Sequence, residues 1–190
     1  MTPADVTAQK AAIRAAIRAA RRGFAGPPLG VPAPFTALLD RWTGVGGVIA
    51  SYVPVGGEAD PAPLAAAAIA RGWQLALPHV STRAAPMRFL SCFPDAALVP
   101  GPFGLRQPES NAEPLAPDII LTPLIAFDDW LARLGQGAGY YDRAFAELPH
   151  ARRLGIGWSI QRVPKVPVDP WDVPLHGVVT ESGWIGPDRL

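Results

Sequence analysis

Two short apolar runs constrain this chain most: Gly47-Val48-Ile49-Ala50-Ser51-Tyr52-Val53 and Asp118-Ile119-Ile120-Leu121-Thr122-Pro123. The first is rich in β-branched residues and ends in the turn Pro54-Val55-Gly56-Gly57-Glu58, so it reads as a strand. The second is continuously apolar, the mark of a strand covered on both faces. Strands buried on both faces require helices above and below the sheet, and the remaining sequence supplies them.

From about Pro3 to Arg22 the chain is rich in Ala, Arg and Ile, with no Gly and no internal Pro, which predicts a helix ending near Gly23. A shorter helix is expected over Pro34 to Trp42, another from about Pro61 to Arg71, and a fourth beginning at Tyr140 or Tyr141. Trp73 to Pro78, Met87 to Phe93, Arg153 to Trp158 and Gly177 to Thr180 are further strand candidates, and Pro100 to Pro117 is expected to be mostly loop. This alternation predicts an α/β fold, a three-layer sandwich with a mainly parallel sheet flanked by helices. At 190 residues the chain suits a single domain spanning 1–190.

Seventeen basic residues against sixteen acidic ones give a net charge of +1, which provides no global field for nucleic acid or an anionic membrane. Any anion must therefore be bound locally. One cysteine, Cys92, excludes an intramolecular disulfide and a cysteine-rich zinc site, and beside Phe89, Leu90 and Phe93 it reads as a small hydrophobe. Asp5, Lys10 and Arg14 interrupt the N-terminus where a secretory signal would be apolar, and no run approaches the roughly 18 apolar residues of a membrane span. A cytoplasmic, soluble protein is the expectation. The 23 prolines and 19 glycines punctuate apolar strands, so many tight, ordered loops are expected.

The segment Arg133-Leu134-Gly135-Gln136-Gly137-Ala138-Gly139-Tyr140-Tyr141-Asp142-Arg143 carries the chemistry. Glycine lacks a Cβ, so backbone amides there can turn toward an anion and approach it closely, while the flanking arginines add charge-assisted contacts. Asp142 would hold the divalent ion that accompanies ATP. Alternate glycines by themselves are equally a flexible turn between a strand and a helix; the paired tyrosines and the Asp-Arg pair favour a nucleotide site. The P-loop pattern is absent, and Gly-x-Gly-x-Gly followed by Tyr differs from the dinucleotide fingerprint.

Along the first helix Val6, Ile13, Ile17 and Phe24 form an apolar stripe, and Lys10, Arg14 and Arg18 recur every four residues as a basic one. The basic stripe is either a solvated face or a surface for a phosphate. Glu58 is either a solvated turn residue or a carboxylate for N–H donors. Asp142 can equally cap a helix, and Asp172 can be an ordinary loop acid near Asp169. His79 and His150 lack ligand spacing and read as structural or exposed. Trp158 and Trp171 line a ligand pocket or belong to the core.

Lys10-x-x-x-Arg14, Tyr52 to Glu58, Met87-Arg88-Phe89, Glu113-Pro114 and the Arg133 to Arg143 segment occur in a characteristic order. In this the chain resembles the 5-formyltetrahydrofolate cyclo-ligase family, from about Lys10 to Glu181, the glycine and tyrosine element being the most specific part. The resemblance implies ATP- and magnesium-dependent conversion of 5-formyltetrahydrofolate, with or without a polyglutamate tail, to 5,10-methenyltetrahydrofolate, a step of one-carbon metabolism. It implies that Lys10 and Arg14 contact ATP phosphates and that Arg133, Leu134, Gly135, Gln136, Gly137, Ala138, Gly139, Tyr140 and Tyr141 wrap the nucleotide. Gln136 to Tyr140 would also touch the folate, and Glu58 with Val53 would bind the formylated pterin. Lys10, Arg14, Glu58 and Arg133 would carry catalysis, with Asp142 and Asp172 as magnesium ligands. A monomer is implied, with neither nucleic acid nor membrane as partner.

Trp171 stands where a histidine is common in the family, and His176 where an aspartate usually follows Pro-Leu. These departures leave Asp172 in place and alter its surroundings. They keep two alternatives open: an ATP-dependent enzyme of the same fold acting on another amide-like substrate, and a non-catalytic folate or nucleotide-binding protein.

Overall fold

The computed structural model describes residues 3–42, 46–82 and 85–188. The elements run α1 (Pro3–Arg21), α2 (Ala33–Asp40), β1 (Val48–Ala50), α3 (Ala62–Ile69), β2 (Gln74–His79), β3 (Arg88–Ser91), β4 (Val99–Pro100), β5 (Arg106–Gln107), β6 (Ile119–Pro123), β7 (Ala126–Phe127), β8 (Arg133–Leu134), α4 (Tyr140–Glu147), β9 (Arg152–Ile156), β10 (Gly177–Thr180) and β11 (Gly183–Ile185). Seven strands form one sheet in the order β11-β10-β9-β6-β1-β2-β3. Strands β10, β9, β6, β1 and β2 are mutually parallel, and β11 and β3 pair antiparallel at the two edges.

The two runs that suggested this architecture lie side by side at its centre, with Ile49 opposite Ile119 and Ala50 opposite Ile120. Asp118 fixes that register: its Oδ2 accepts from the Val48 amide at 2.8 Å, and its own amide donates to the Val48 carbonyl at 2.8 Å. Alternation along β6 separates the layers. Ile119 and Leu121 pack with Phe35, Leu38 and Leu39 of α2 and Leu64 and Ala68 of α3. Ile120 faces the other way, with Ala144 and Phe145 of α4. All three β6 residues are 0% exposed, so each contributes roughly 1.5–3 kcal/mol of apolar burial, and a charge at any of them would be left without compensation.

Several expectations need amendment. The segment 133–143 is not one loop: Arg133 and Leu134 form β8, which pairs antiparallel with β7, and α4 starts at Tyr140. The 100–117 stretch contains β5, which pairs with β4, and β11 was not anticipated. Strands of two or three residues carry too little periodicity to register in a sequence.

Candidate active site

The carboxyl ends of the central parallel strands open on one cleft of about 550 Å³, within the range of small-molecule sites. Tyr52 and Val53 enter it after β1, Val80 after β2 and Pro123 at the end of β6. From β1 the chain proceeds to β2 on one side and later to β6 on the other, so the cleft sits at a topological switch point, where open α/β sheets bind ligands.

Helix α1 lies along this edge because Ile17, with Ile13, packs on Ile125, Ala126, Leu134 and Val166. That anchoring turns Lys10, Arg14 and Arg18 toward the cleft, whose lining includes all three. Arg14 Nε donates to the Gly135 carbonyl at 2.9 Å, and Arg18 Nη2 donates to Gln136 Oε1 at 2.8 Å. The basic stripe and the glycine segment therefore face each other. Gly137 (φ 104°) and Gly139 (φ 68°) occupy left-handed backbone, and a Cβ at Gly135 would stand 2.6 Å from Arg133 Nη1. Side chains are excluded here by conformation and by space.

The cations are matched with carboxylates. Arg133 Nη2 donates to Asp142 Oδ1 at 2.6 Å, with the guanidinium near the rings of Tyr141 and Phe145 (5.7 and 5.4 Å to the centroids). Lys10 Nζ lies 2.6 Å from Asp169 Oδ2 and 2.5 Å from Asp172 Oδ2, and the Asp169 amide donates to Asp172 Oδ2 at 2.8 Å. Burial disfavours the Lys10 ammonium, but the hydrogen bonds to Asp169 and Asp172 outweigh it and raise its pKa above the ordinary lysine value. Arg14 moves the other way, lowered by burial and then by the neighbouring Arg18 charge. Asp142 lies in the first turn of α4, three residues beyond the N-cap Gly139, so it is not the helix cap.

The opposite wall is built on the turn after β1. Gly56 and Gly57 take positive φ (56° and 78°), Glu58 Oε2 accepts from the Val55 amide at 3.1 Å, and Tyr52 Oη donates to the Ala59 carbonyl at 2.6 Å. Burial pushes the Glu58 carboxyl up, against the Val55 amide, the Gln136 amide and the Arg21 charge. Gln136 Nε2 donates to Glu58 Oε1 at 3.1 Å, so this side chain bridges the two walls.

The residues expected to carry catalysis, binding or metal ligation line the cleft: Lys10, Arg14, Val53, Glu58, Arg133 through Asp142, and Asp172; Arg143 does not. Leu105 and Arg106 were missed because they arrive from the β4–β5 hairpin, which Gln107 docks by accepting from the Val80 amide at 3.1 Å. Asp169 was passed over as a neighbour of Asp172. Neither tryptophan suggested for the pocket lines it. Trp171 is 70% exposed, whereas Trp158 is buried in the core and donates from Nε1 to the Gly57 carbonyl at 2.9 Å, supporting the Glu58 turn from behind. His176 sits apart from the cleft, its Nδ1 accepting from the Arg153 amide at 3.0 Å, its pKa pushed down to about 4 by burial and the Arg153 and Arg152 charges. Cys92 and His79 are buried and His150 is exposed.

This donor set suits a polyphosphate. Arg133 Nε is buried without a partner among the described residues, a donor for an anion's oxygen in a cleft that also presents Lys10, Arg14 and Arg18. Among the described residues no three His, Cys, Asp or Glu side chains converge. Asp142 and Asp172 both line the cleft and offer carboxylate oxygens, the donor type of a hard cation such as magnesium, which takes one or two protein carboxylates and completes its shell with phosphate oxygens and water.

The Escherichia coli K12 5-formyltetrahydrofolate cyclo-ligase is 33% identical over 141 residues, covering 70% of this chain and 78% of the relative. The Mycolicibacterium smegmatis protein of the same name is 34% identical over 147 residues, covering 71% and 74%. The solution structure of Aquifex aeolicus 5,10-methenyltetrahydrofolate synthetase superimposes with a TM-score of 0.67 at 26% identity, covering 92% of this chain and 91% of that one. The model that describes one family matches residues 6–181, nearly the whole chain, and with the cleft just described it places this protein in the 5-formyltetrahydrofolate cyclo-ligase family.

Proposed function

We propose that this protein cyclises 5-formyltetrahydrofolate to 5,10-methenyltetrahydrofolate at the expense of ATP, releasing ADP and phosphate. The observation that carries this is the convergence, in one cleft, of a cationic, glycine-lined wall with a half-buried carboxylate, Glu58, on the facing turn. The formyl oxygen is a poor leaving group. In the proposed chemistry it attacks the γ-phosphorus of ATP, giving a phosphorylated iminium at N5; N10 then attacks the formyl carbon, and the C–O bond breaks to release phosphate as the ring closes.

Such a transfer depends on alignment and charge neutralisation. Lys10, Arg14 and Arg133, with the amides of 135–139, would hold the phosphates. Asp142 and Asp172 would hold magnesium, which supplies neutralisation of the polyphosphate charge. To receive these ligands the carboxylates must loosen their bonds to Arg133 and Lys10, freeing both cations for phosphate oxygens; one exchange of partners then serves both groups. Glu58, with Val53 beside it, would accept from pterin N–H groups and stabilise positive charge as the iminium develops. Tyr140 and Tyr141 would bound the space between nucleotide and folate. No covalent enzyme nucleophile is needed.

The sheet runs continuously from residues 48 to 185, which supports treating 1–190 as a single domain. No helix among the described residues is long and apolar enough to cross a membrane. A cytoplasmic monomer, acting on folate with neither membrane nor nucleic acid as partner, is part of the proposal. The test is to mix protein, 5-formyltetrahydrofolate, Mg²⁺ and ATP and follow the absorbance of the methenyl product, with Asp142→Ala as control. A rise that requires ATP and is lost in the variant is expected. No rise, with the formylfolate failing to bind by calorimetry, overturns the reading.

A further inference from the structure

Arg21 is the residue whose burial the proposed chemistry leaves unexplained. It lies in the last turn of α1, three residues beyond Arg18, and therefore extends the Lys10, Arg14, Arg18 stripe by one further step. Unlike those residues it is absent from the cleft lining, and like Lys10 it is buried, at 6% exposed. Its Nη2 donates to the Gly56 carbonyl at 2.6 Å and, more weakly, to the Val55 carbonyl at 3.4 Å. Nε and Nη1 are buried with no partner among the described residues.

A guanidinium held by two carbonyls, in no ion pair among the described residues, is a costly way to fill a core position, because the desolvation of the charge is only partly recovered. An apolar side chain would suit stability better. What Arg21 does hold is the double-glycine turn, whose two positive-φ residues give it little intrinsic preference for one shape. We propose that Arg21 is a positioning residue for the folate half of the reaction: it fixes the 55–57 turn so that Glu58 meets the substrate, and it fastens that turn to the helix that presents Lys10, Arg14 and Arg18 to the phosphates. The inference rests on the reading of Glu58 as the pterin carboxylate.

Arg21 also acts on Glu58 through its charge. Burial pushes the Glu58 carboxyl up, and Arg21 joins the Val55 amide and the Gln136 amide in opposing that. Tyr52 and Tyr141 are the other titratable groups that face it, and burial holds both phenols neutral far above the pH range in question. Only as the carboxylate does Glu58 accept through both oxygens and carry the charge that stabilises the developing iminium, so the acid limb of kcat/KM for the folate follows its ionisation. Loss of Arg21 must move that limb to higher pH, an effect that a merely structural residue would not produce.

The experiment measures kcat and KM for 5-formyltetrahydrofolate and for ATP, across pH, in wild type, Arg21→Met, Arg21→Lys and Glu58→Gln, with thermal denaturation of each. For Arg21→Met the expected result is a fall in kcat/KM for the folate of tenfold up to about a hundredfold, the scale of a misplaced reacting geometry. Its ATP KM should stay within about twofold of wild type, and its acid limb should shift upward. Arg21→Lys keeps the charge without the planar fork, so its limb should stay in place while the folate KM rises. It carries the test if Arg21→Met does not fold. Wild-type folate kinetics in both Arg21 variants, with Glu58→Gln inactive, would overturn the role of Arg21 alone. A fully active Glu58→Gln would instead overturn the reading of Glu58 and this inference with it.

Discussion

The two walls of the cleft satisfy their polar groups in opposite ways. On the α1 and glycine-loop wall, charge meets charge: Lys10 with Asp169 and Asp172, Arg133 with Asp142. On the Glu58 wall a half-buried carboxylate is held by amide donors, its pKa raised by burial. In the proposed reaction the first wall exchanges partners as a polyphosphate and its metal bind. The second must keep its shape, because its carboxylate is selected by position and has no counter-ion to exchange. Gln136, bonded to Arg18 on one side and Glu58 on the other, is the direct link between them.

The sharpest way to break this comparison is Lys10→Met. If the cationic wall works by partner exchange, kcat/KM for ATP should fall by about 10²–10³-fold, the scale of losing one charge-stabilising donor, while the calorimetric affinity for 5-formyltetrahydrofolate stays close to wild type. A loss confined to the folate would mean that the walls have been assigned the wrong way round.

A smaller effect tests the second wall through stability. Folding raises the Glu58 pKa, so the native state binds its proton more tightly than the unfolded chain. Stability from this group is therefore greatest below the unfolded pKa and declines as pH rises through the folded value. Glu58→Gln lacks this term, so its midpoint of thermal unfolding should gain on wild type as pH rises through that window, even as turnover is lost. An offset independent of pH would show that burial does not govern this carboxyl.

The smallest expected effect concerns Trp171, the departure from the family pattern that adjoins Asp172 in sequence. Its side chain is 70% exposed and outside the cleft lining. Trp171→His should change stability by no more than about 0.5 kcal/mol and leave ATP and folate KM values unchanged. A large change in the ATP KM would bring this residue into the nucleotide wall.

The central strands were legible in the sequence because Ile119, Ile120 and Leu121 leave no polar face for solvent, a pattern that permits little besides a doubly covered strand. The positively charged stripe was legible because helical spacing is local. Arg21 was not: it continues the same stripe, and only the packing of α1 against the sheet edge decides that Arg18 faces the cleft while Arg21 faces the turn. The Lys10 to Asp169 contact joins residues 159 apart in sequence, which no local pattern encodes. Trp158 shows the same limit. A buried tryptophan was a fair expectation, but its donation to Gly57, on a turn far along the chain, belongs to tertiary structure.

The measurement that bears most directly on the central claim is the stoichiometry of the two products in a single reaction. Phosphate released and methenyltetrahydrofolate formed should rise together, one for one, only when ATP, Mg²⁺ and 5-formyltetrahydrofolate are all present, and should fall together in Lys10→Met and in Glu58→Gln. Phosphate release indifferent to the folate, or methenyl product formed without ATP, would contradict the account of one cleft coupling the two walls.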